Sequence, residues 1–520
     1  MKSILPTKEE SDEKLLSRRS FFSFAGKMSL AAGVTAVTAG CDGNISGGTG
    51  WVPEQYNAKG TFPVQVRGRI PIDPNNVAIC RDDKKCILCG QCVEVCEKVQ
   101  TVMGNYDLPL IDSVPCIDCG QCTLWCPTGA ITEVDDTDKV IRALLDPTLH
   151  VVVQTAPATR VALGEEFGMQ PGKDIELLQV AALRKLGFDK VFDTNFSADL
   201  TIMEEATELL QRIQNNGVLP QFTSCSPGWV KFCEMFYPEL IPNLSSAKSP
   251  MTMLGTMIKT YYAKEQNIDP TKIVSVAIMP CTAKKSEAAR PEMNGASVLW
   301  EKPDLRDVDI VLTTRELARL IKSHNIDLTS LQPANYDRLM SEYSGAGAIF
   351  GVTGGVMEAA VRTSYYFITG ERPPEPLFNL QPVRGLEGIK EAALDIPGVG
   401  EIRVAVCSGM GNARPVLEAI QKGEKQWHFV EFMGCPGGCI AGGGQPRSAL
   451  PPSDEIRALR MKALYSKDER ATIRLSYENS EIQSIYKQFL GEPCGERAHQ
   501  LLHTHYQDRS IHFNKKKLKD

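Results

Sequence analysis

From residue 150 onward, short apolar runs alternate with longer segments in which apolar residues recur at helical spacing. Runs rich in Val, Ile and Phe that are bounded by polar or turn-forming residues are typical of buried strands. Strands that alternate with amphipathic helices are expected to form parallel sheets covered by helices. We therefore predict an α/β fold with strands at Val151–Gln154, Lys190–Asp193, Gln221–Thr223, Ile273–Met279, Val308–Leu312, Arg403–Val406 and His428–Phe432.

One of the intervening segments has a clear helical stripe. Its apolar residues at positions 202, 206, 209, 210 and 213 follow the spacing of one helix face. Thr201 and Glu204 form a capping-box pattern, which predicts that this helix begins near Thr201. The same helix carries Glu205, Glu208 and Arg212, and a charged face of this kind is usually a solvated surface.

Composition and charge limit the class of protein. The chain has 520 residues, of which 23% are charged and 42% are hydrophobic, as in an ordinary globular protein of several domains. The net charge of -6 argues against a nucleic-acid-binding function, and the sequence has no long basic stripe. The 17 cysteines are unevenly distributed, with eight of them between Cys86 and Cys126. Such clustering favours metal binding over disulfide formation.

This cysteine-rich segment contains two copies of one spacing. Each copy has three cysteines at three-residue intervals and a fourth cysteine four residues later. In two-cluster ferredoxins the fourth cysteine of each run ligates the other cluster, whereas zinc motifs usually use separated cysteine pairs. The spacing therefore predicts two 4Fe–4S clusters, one held by Cys86, Cys89, Cys92 and Cys126 and the other by Cys116, Cys119, Cys122 and Cys96.

Most of the chain lies outside this segment, so we expect a catalytic domain as well as an electron-transfer domain. Three further cysteines, Cys225, Cys281 and Cys435, each follow a predicted strand. In parallel α/β sheets, ligands bind beyond the carboxyl ends of the strands. The sequence thus predicts that these thiols and Cys439 converge on one buried site, although each cysteine taken singly is better interpreted as a buried apolar thiol.

Three segments resemble the signature motifs of iron-only (FeFe) hydrogenases. They are Thr223–Trp229, Met279–Glu287, and Glu431–Cys439 with the following Gly442–Pro446. The resemblance covers roughly residues 77–506 and implies an enzyme that interconverts dihydrogen with protons and electrons. It also implies a catalytic cluster in which a 4Fe–4S cube is joined, through a cysteine sulfur, to a two-iron unit with carbonyl, cyanide and dithiolate ligands.

The resemblance assigns roles to individual residues. Cys439 matches the bridging ligand, and Cys281 and Cys435 match two further ligands of the cube. Lys284 matches the residue that hydrogen-bonds a cyanide. The implied proton relay consists of Cys225, Glu205, Ser245, Glu208 and Arg212. The implied cofactor-binding residues are Ala156, Pro157, Met279, Met433 and Phe350.

The first motif departs from the family pattern. The family usually has Thr-Ser-Cys-Cys-Pro, whereas this chain has Ser226 at the second cysteine position. In an aligned interpretation, which we prefer, Cys225 relays protons and Ser226 is a hard oxygen ligand, although iron–sulfur clusters bind thiolate better. In a shifted interpretation, Cys225 is the ligand and the relay thiol is lost. The alternative function is that of a non-catalytic relative, either a dihydrogen sensor or an iron–sulfur electron-transfer protein.

The N-terminus resembles an export signal. Ser17–Phe22 contains the twin-arginine pattern, and the apolar run Met28–Ala39 is too short to span a hydrocarbon core of roughly 30 Å. The twin-arginine route carries folded proteins, which suits a chain that receives its iron clusters from maturases before export. Thr38–Cys41 resembles a lipoprotein cleavage box. We therefore expect a periplasmic protein with either a lipid anchor at Cys41 or ordinary cleavage nearby.

A periplasmic location favours the uptake of dihydrogen, with a c-type cytochrome or another periplasmic carrier as the electron acceptor. An NAD-linked function is disfavoured because the sequence has no Gly-rich dinucleotide fingerprint. The C-terminal segment resembles the small subunit of periplasmic FeFe hydrogenases, fused here to the catalytic chain. His499 and His503 have a spacing that permits metal binding, but we interpret them as helix-face residues. Cys233, Cys407 and Cys494 are interpreted as packing residues.

These interpretations combine into one architecture. We predict an α/β protein with an N-terminal α+β bacterial ferredoxin-like domain, a two-lobed parallel-sheet catalytic domain with the cluster between its lobes, and a helical C-terminal belt. The predicted boundaries are 1–41 for the export signal, 42–76 for a linker, 77–140 for the two-cluster domain, 148–450 for the catalytic domain, 451–510 for the small-subunit-like segment and 511–520 for a basic tail.

Overall fold

The computed structural model describes residues 68–107, 114–447 and 453–512, together with the backbone of Asn514–Lys515. The predicted export signal, the lipoprotein box, most of the linker and most of the basic tail therefore lie outside the described residues. None of the described helices combines the length and the apolar character needed to span a membrane.

The elements are numbered in chain order. The described strands are β1 Ile79–Arg81, β2 Tyr106–Asp107, β3 Ile131–Glu133, β4 His150–Thr155, β5 Lys190–Asp193, β6 Gln221–Phe222, β7 Ile273–Met279, β8 Ile310–Thr313, β9 Ile389–Ile396, β10 Gly400–Ser408, β11 Phe429–Met433 and β12 Asn514–Lys515. The described α-helices are α1 Gln91–Glu94, α2 Gln121–Trp125, α3 Thr137–Leu145, α4 Glu176–Leu186, α5 Thr194–Gln214, α6 Pro227–Phe236, α7 Pro250–Met257, α8 Ala263–Glu265, α9 Ala283–Ala288, α10 Gly295–Trp300, α11 Thr314–Ser323, α12 Gly345–Ala348, α13 Gly355–Thr369, α14 Met410–Gln421, α15 Asp454–Arg470, α16 Ser480–Ile485 and α17 Glu496–Leu502.

Two four-stranded sheets form the centre of the molecule. In the first sheet the strand order is β5-β4-β7-β8, and all neighbours are parallel. In the second sheet the order is β6-β11-β10-β9, with β9 antiparallel to β10. All seven predicted strands are present. Strand β9 was not predicted because it is a partly exposed edge strand with charged residues, a composition that avoids edge-to-edge pairing but hides the apolar pattern.

The first sheet is covered on both faces. Val151 and Val153 pack into the core beneath α4 and α11, while Val152 packs on the opposite face with α5 and α7. This two-sided burial explains why β4 is a continuous apolar run rather than an alternating one. The parallel, helix-covered sheet that the sequence predicted is therefore confirmed.

Helix α5 lies between the two sheets. Phe196 and Leu200 pack with the first sheet, whereas Ile202 and Leu209 pack with strands of the second. The predicted start of this helix at Thr201 is wrong, because α5 begins at Thr194 and its N-cap is Asp193, whose side chain accepts a hydrogen bond from the Asn195 amide.

Thr201 instead lies inside the helix. Its hydroxyl donates to the Ser197 carbonyl at 2.9 Å, and Glu204 is fully buried and turned towards the C-terminal segment. The capping-box pattern was misleading because the apolar residues upstream of Thr201 pack as part of the same helix, and tertiary packing overrides a local start signal.

The cysteine-rich region is a small α+β unit. Strands β1 and β3 pair antiparallel, and α1 and α2 pack beside them around Ile79, Val95 and Ile131. Ile70 belongs to the same core and is 5% exposed. The predicted linker therefore extends too far along the chain, because residues 68–76 include part of this unit. Helix α3 crosses the predicted end of the unit and packs into the first sheet's core.

The C-terminal helices form a belt around the catalytic part. Met461 and Leu464 of α15 pack against Ile349 and Ile440, close to the second sheet. Leu501 and Leu502 of α17 pack on the α5–α7 side of the first sheet. We call residues 453–512 the belt, and its helical character agrees with the sequence prediction.

Candidate active site

The motif cysteines come from both sheets. Cys281 follows β7 of the first sheet, and Cys435 and Cys439 follow β11 of the second. Loss of surrounding water, together with the neighbouring Cys281 and Cys439 thiolates, raises the pKa of the Cys435 thiol. The same two effects, loss of water and the Cys281 charge, raise the pKa of Cys439 to about 12. The three sulfurs therefore lie close together between the carboxyl ends of two sheets.

This donor set fits an iron–sulfur cluster. Several enclosed thiolates repel one another, and the Lys284 ammonium nearby offsets only part of their charge, so a bound iron cluster would supply the remaining positive charge. Thiolate is the ligand that iron–sulfur clusters prefer. The loop before Cys439 requires glycine, since Gly438 has φ 96 and ψ -160, a conformation that side chains exclude.

Cys225 and Ser226 face different neighbours. Ser226 precedes α6, and its hydroxyl accepts a hydrogen bond of 3.0 Å from the amide of Gly434, the residue before Cys435. The environment of Cys225 is different, because desolvation and then the Glu205 carboxylate raise the pKa of its thiol. Ser226 is thus on the Cys435 side of the site, and Cys225 is on the side of helix α5.

Lys284 places its ammonium group between the first two motifs. Its Nζ donates to the Cys225 carbonyl at 3.1 Å, to Ser249 Oγ at 2.7 Å and to Glu287 Oε2 at 2.7 Å. Although desolvation raises the pKa of Cys281 overall, the Lys284 charge counteracts part of that rise. Sequence reasoning missed the positioning residues Ser249 and Glu287, even though Glu287 ends the second motif.

Apolar side chains enclose the cysteines on two sides. Ala156 and Met279 lie in one core cluster at the ends of β4 and β7. Phe350 and Met433 lie in another, against which Cys225 and Cys439 pack. These four residues are at most 6% exposed, and Pro157, which follows Ala156, is also buried. Four of the five predicted cofactor-binding residues therefore belong to the apolar clusters around the site, and the fifth, Pro157, is next to Ala156 in the sequence.

Three of the predicted relay residues are joined by hydrogen bonds at helix α5. Ser245 Oγ donates to Glu208 Oε2 at 2.6 Å, and the Arg212 guanidinium donates to Glu208 Oε1 at 2.7 Å. Arg212 is itself fixed by backbone carbonyls, including that of Leu244 at 2.8 Å. The relay side chains are mostly enclosed, so the interpretation of this helix face as an ordinary solvated surface is wrong.

Glu205 is the most deeply buried of the predicted relay acids. It is fully buried, and the Ser224 backbone and the Ser245 side chain offset only part of the effect of that burial on its pKa. Burial, with a contribution from the Glu208 carboxylate, raises the pKa of Glu205 to about 8. The side chain therefore holds a proton at neutral pH and is able to donate it.

The cysteine-rich unit brings its sulfurs together in two groups. Cys86, Cys89, Cys92 and Cys126 line one cavity. Desolvation and then the Cys116 and Cys96 thiolates raise the pKa of Cys122, so those three sulfurs lie near one another. Cys126 thus lies with the first triplet and Cys96 lies near the second, and the assignment of these eight thiols to two 4Fe–4S clusters stays a prediction.

The second of these groups adjoins the catalytic cysteines. The Cys435 thiolate contributes to the raised pKa of Cys119, after desolvation and Cys122. A Cβ atom at Gly443 would lie 2.2 Å from the Cys119 carbonyl oxygen, so only glycine permits this close approach. Thr123 Oγ1 also donates to the Gly443 carbonyl at 2.9 Å. The loop that follows Cys439 is therefore in direct contact with the cysteine-rich unit.

Comparison with known proteins identifies this arrangement. A model of the iron only hydrogenase large subunit, C-terminal domain, matches residues 149–443, and a model of the iron hydrogenase small subunit matches residues 454–509. The chain belongs to the iron-only hydrogenase family. As an iron-only hydrogenase it is an oxidoreductase that acts on dihydrogen and uses iron–sulfur clusters to do so.

Individual relatives agree with this family. Iron hydrogenase 1 of Clostridium pasteurianum is 44% identical over 470 residues, which cover 87% of this chain and 80% of the relative. The periplasmic Fe hydrogenase large subunit of Nitratidesulfovibrio vulgaris is 43% identical over 372 residues, which cover 70% of this chain and 85% of the relative. The solved structure of an apo FeFe-hydrogenase from Chlamydomonas reinhardtii is similar to this hydrogenase with a TM-score of 0.64 and 43% identity, covering 72% of this chain and 99% of that one.

The unassigned cysteines of this hydrogenase differ from one another. Cys233 and Cys407 are fully buried in one apolar core, as predicted. Cys494 is not a simple packing residue, because its amide donates to Glu204 Oε2 at 2.7 Å and its thiol lies beside His503. His503 is also buried rather than presented on a helix face.

Proposed function

We propose that the chain interconverts dihydrogen with protons and electrons at a six-iron cluster. Cys281, Cys435 and Cys439 would be thiolate ligands, with Cys439 bridging the 4Fe–4S cube to the two-iron unit. The convergence of these three thiols from two sheets, beside an enclosed carboxylic acid, carries the proposal. When bound, the two-iron unit with its carbonyl, cyanide and dithiolate ligands supplies the chemistry that splits and forms dihydrogen.

The surrounding residues would orient and shield that group. The Lys284 ammonium, fixed by Ser249 and Glu287, is placed to donate a hydrogen bond to a cyanide ligand. Ala156, Pro157, Met279, Met433 and Phe350 would exclude water. In such a dry site a fixed cation stabilises negative charge more strongly than it would in water.

We propose the aligned interpretation of the first motif. Ser226 would be the fourth ligand of the cube, since its hydroxyl lies against the residue that precedes Cys435. Cys225 would relay protons, since it lies towards Glu205. An alkoxide or hydroxyl ligand is harder than thiolate, so the cube is expected to have a changed reduction potential.

Protons would move along α5. The Cys225 thiol would exchange a proton with Glu205, which holds its proton at neutral pH because its pKa is raised. The Ser245 hydroxyl, bonded to Glu208, would continue the transfer. Arg212 would position Glu208 near the surface, where the carboxylate exchanges protons with solvent.

Electrons would pass through two 4Fe–4S clusters in the cysteine-rich unit. The cluster held by Cys116, Cys119, Cys122 and Cys96 would be the nearer one, because Cys119 adjoins Cys435 and Gly443. The cluster held by Cys86, Cys89, Cys92 and Cys126 would connect it with an external carrier. We propose a c-type cytochrome or another periplasmic carrier as the partner, with dihydrogen uptake as the favoured direction.

The proposed location is the periplasm. The twin-arginine pattern at Arg18 and Arg19 supports export after maturases have inserted the clusters, and the Nitratidesulfovibrio relative is named periplasmic. Lipidation of Cys41 would add a membrane anchor, whereas ordinary cleavage would release the protein. Mass spectrometry of the mature N-terminus distinguishes these two outcomes.

Dihydrogen-dependent dye reduction tests the proposed activity. Matured protein with a full iron complement is expected to reduce a viologen dye under dihydrogen, and Cys439→Ser is expected to abolish the reduction. Cys233→Ser is the matched control, since that thiol is buried in an apolar core and is not one of the proposed ligands. Fully matured wild-type protein that reduces no dye would contradict catalysis and support the sensor or electron-transfer alternative.

A further inference from the structure

A group of metal-binding side chains lies beneath the belt, outside the residues that the proposed reaction uses. It consists of Glu204 on α5, and of Cys494 and His503, which flank α17. One carboxylate oxygen, the thiol sulfur and one imidazole nitrogen all lie within 4.8 Å of one another. Glu204 is fully buried and His503 is 7% exposed, so these donors are not a chance gathering on the surface.

His503 and Cys494 both lie close to oxygen atoms of Glu204. His503 Nε2 lies 2.9 Å from Glu204 Oε2, and the Cys494 amide donates to the same oxygen at 2.7 Å. The Cys494 thiol lies 3.5 Å from the Glu204 backbone carbonyl. Ligands of a tetrahedral zinc ion lie roughly 3.3–3.6 Å apart, given the usual zinc–ligand distances. To hold an ion, His503 Nε2 and Glu204 Oε2, now 2.9 Å apart, would move apart slightly, and any pair of donors near the 4.8 Å limit would move closer.

Outer hydrogen bonds fix the orientation of two of these donors. Ser246 Oγ lies 2.8 Å from His503 Nδ1. With an ion bound at Nε2, the serine oxygen would accept the Nδ1 proton. The Tyr486 hydroxyl donates to Glu204 Oε1, the carboxylate oxygen that faces away from His503. Metal-binding histidines usually have their second ring nitrogen held in this way, and ligating carboxylates are also hydrogen-bonded.

The backbone of Cys494 supports the same interpretation. Cys494 has φ 56, a left-handed conformation that is uncommon for residues with a side chain, although Gly495 follows directly. That conformation places the thiol and the amide of one residue over Glu204.

We propose that Glu204, Cys494 and His503 bind one zinc-class divalent cation that fastens the belt to α5. A thiolate and a carboxylate supply two negative charges, which balance the charge of the ion, while the imidazole stays neutral. Binding releases the thiol proton to solvent. The mixed sulfur, nitrogen and oxygen set suits zinc, and a water molecule would complete the tetrahedron.

The site adjoins the proposed proton relay but shares no donor with it. Glu205 is the next residue after Glu204, yet Glu204 contacts the belt while Glu205 lies near Cys225 and Glu208. Ser246 and Glu208 link the two, since the Ser246 amide donates to Glu208 at 3.2 Å, and Glu208, after desolvation and Glu204, contributes to the raised pKa of Cys494. The proposal therefore stands whether or not the proposed reaction is correct.

Zinc content and zinc X-ray absorption test the proposal on the full-length protein with a complete iron complement. After treatment with a metal-chelating resin, wild-type protein is expected to retain about one zinc per chain, with one sulfur and the remaining ligands nitrogen or oxygen. Zinc that occupied an unfilled iron–sulfur site would show three or four sulfur ligands. The absorption spectrum thus separates the proposed site from misloaded clusters.

Substitution of the individual donor residues tests where the zinc ion binds. Cys494→Ser and His503→Gln are each expected to weaken zinc binding by at least about tenfold. His499→Gln is the matched control, because His499 stacks on His503 at 4.7 Å between ring centroids but is not one of the three donors. Iron-replete wild-type protein with no bound zinc would overturn the proposal, and so would zinc with several sulfur ligands. If the variants do not fold, the sulfur count in the wild-type protein decides.

Discussion

The Ser245 hydroxyl donates a 2.6 Å hydrogen bond to the Glu208 carboxylate. This bond joins the loop after α6 to helix α5, and Arg212 holds the other oxygen of the same carboxylate at 2.7 Å. Glu208 thus lies between an enclosed hydroxyl on one side and a partly exposed guanidinium on the other. That position suits a group that exchanges protons between the interior and solvent.

Replacing Glu208 with Gln is expected to slow turnover by roughly a hundredfold or more, because loss of a positioned acid–base group usually has an effect of that size. Iron content should not change, since Glu208 is not one of the proposed iron ligands. Dye reduction under dihydrogen, with iron analysis, measures both quantities. Glu239→Gln is the control for removal of an exposed carboxylate. Full activity in Glu208→Gln would remove this residue from the relay.

The protonated state of Glu205 gives a dependence of stability on pH. The folded protein raises the pKa of Glu205 to about 8, above the value of about 4.3 for a free glutamic acid. Between these values the folded state holds a proton that the unfolded chain releases. The bound proton therefore adds to the free energy of unfolding. This added stability is complete below about pH 4.3 and is lost as the pH rises through about 8.

Glu205→Gln should remove that dependence. We expect its melting temperature to fall less than that of the wild type between about pH 6 and about pH 9, because a neutral amide does not ionise. Turnover should decrease at the same time, since the amide cannot relay a proton. Calorimetry at several pH values measures the first effect. If the melting temperature of Glu205→Gln fell as much as that of the wild type over this pH range, the pH dependence would belong to other groups.

The two interpretations of the first motif predict different spectra. If Ser226 is the cube ligand, Cys225→Ala should keep the cube signals in Mössbauer and EPR spectra while it abolishes most turnover. Ser226→Cys should shift the reduction potential of the cube, because thiolate replaces a harder oxygen ligand. Loss of the cube signals in Cys225→Ala would instead favour the shifted interpretation.

The contact between Gly443 and Cys119 predicts a specific effect on electron transfer. Gly443→Ala would place its Cβ atom 2.2 Å from the Cys119 carbonyl oxygen, so the two loops must separate. We expect slower reduction of the cysteine-rich unit by dihydrogen, with the catalytic cluster retained. Gly228→Ala is the control, because its Cβ would lie 3.4 Å from the Ile117 carbonyl oxygen, an ordinary contact. Time-resolved EPR measures the reduction rate of the cysteine-rich unit in each variant. Equal rates in Gly443→Ala and Gly228→Ala would contradict this role for the contact.

Several parts of this fold were predictable from the sequence because they depend on local pattern. Strands such as Ile273–Met279 are continuous apolar runs, and the doubled cysteine spacing indicates its own chemistry. The positions of Cys281 and Cys435 after strands predicted that each thiol lies at the carboxyl end of a sheet. The two cysteines follow strands of different sheets, so the meeting of those two sheet ends depends on tertiary packing that the strand pattern does not give.

Features that depend on distant contacts were not predictable. The start of α5 at Thr194 depends on packing of Phe196 and Leu200 against the first sheet, which outweighs the capping pattern at Thr201. Edge strand β9 has too many charged residues to show a strand pattern. The meeting of Glu204 with His503 joins residues 299 positions apart, and no sequence spacing signals it.

Infrared spectroscopy of fully matured, iron-replete protein tests the six-iron cluster most directly. Carbonyl and cyanide ligands absorb where protein groups do not, so the account predicts carbonyl and cyanide stretching bands in the wild type and their loss in Cys439→Ser. Wild-type protein that contains its full complement of iron and sulfide but shows none of these bands would contradict the account.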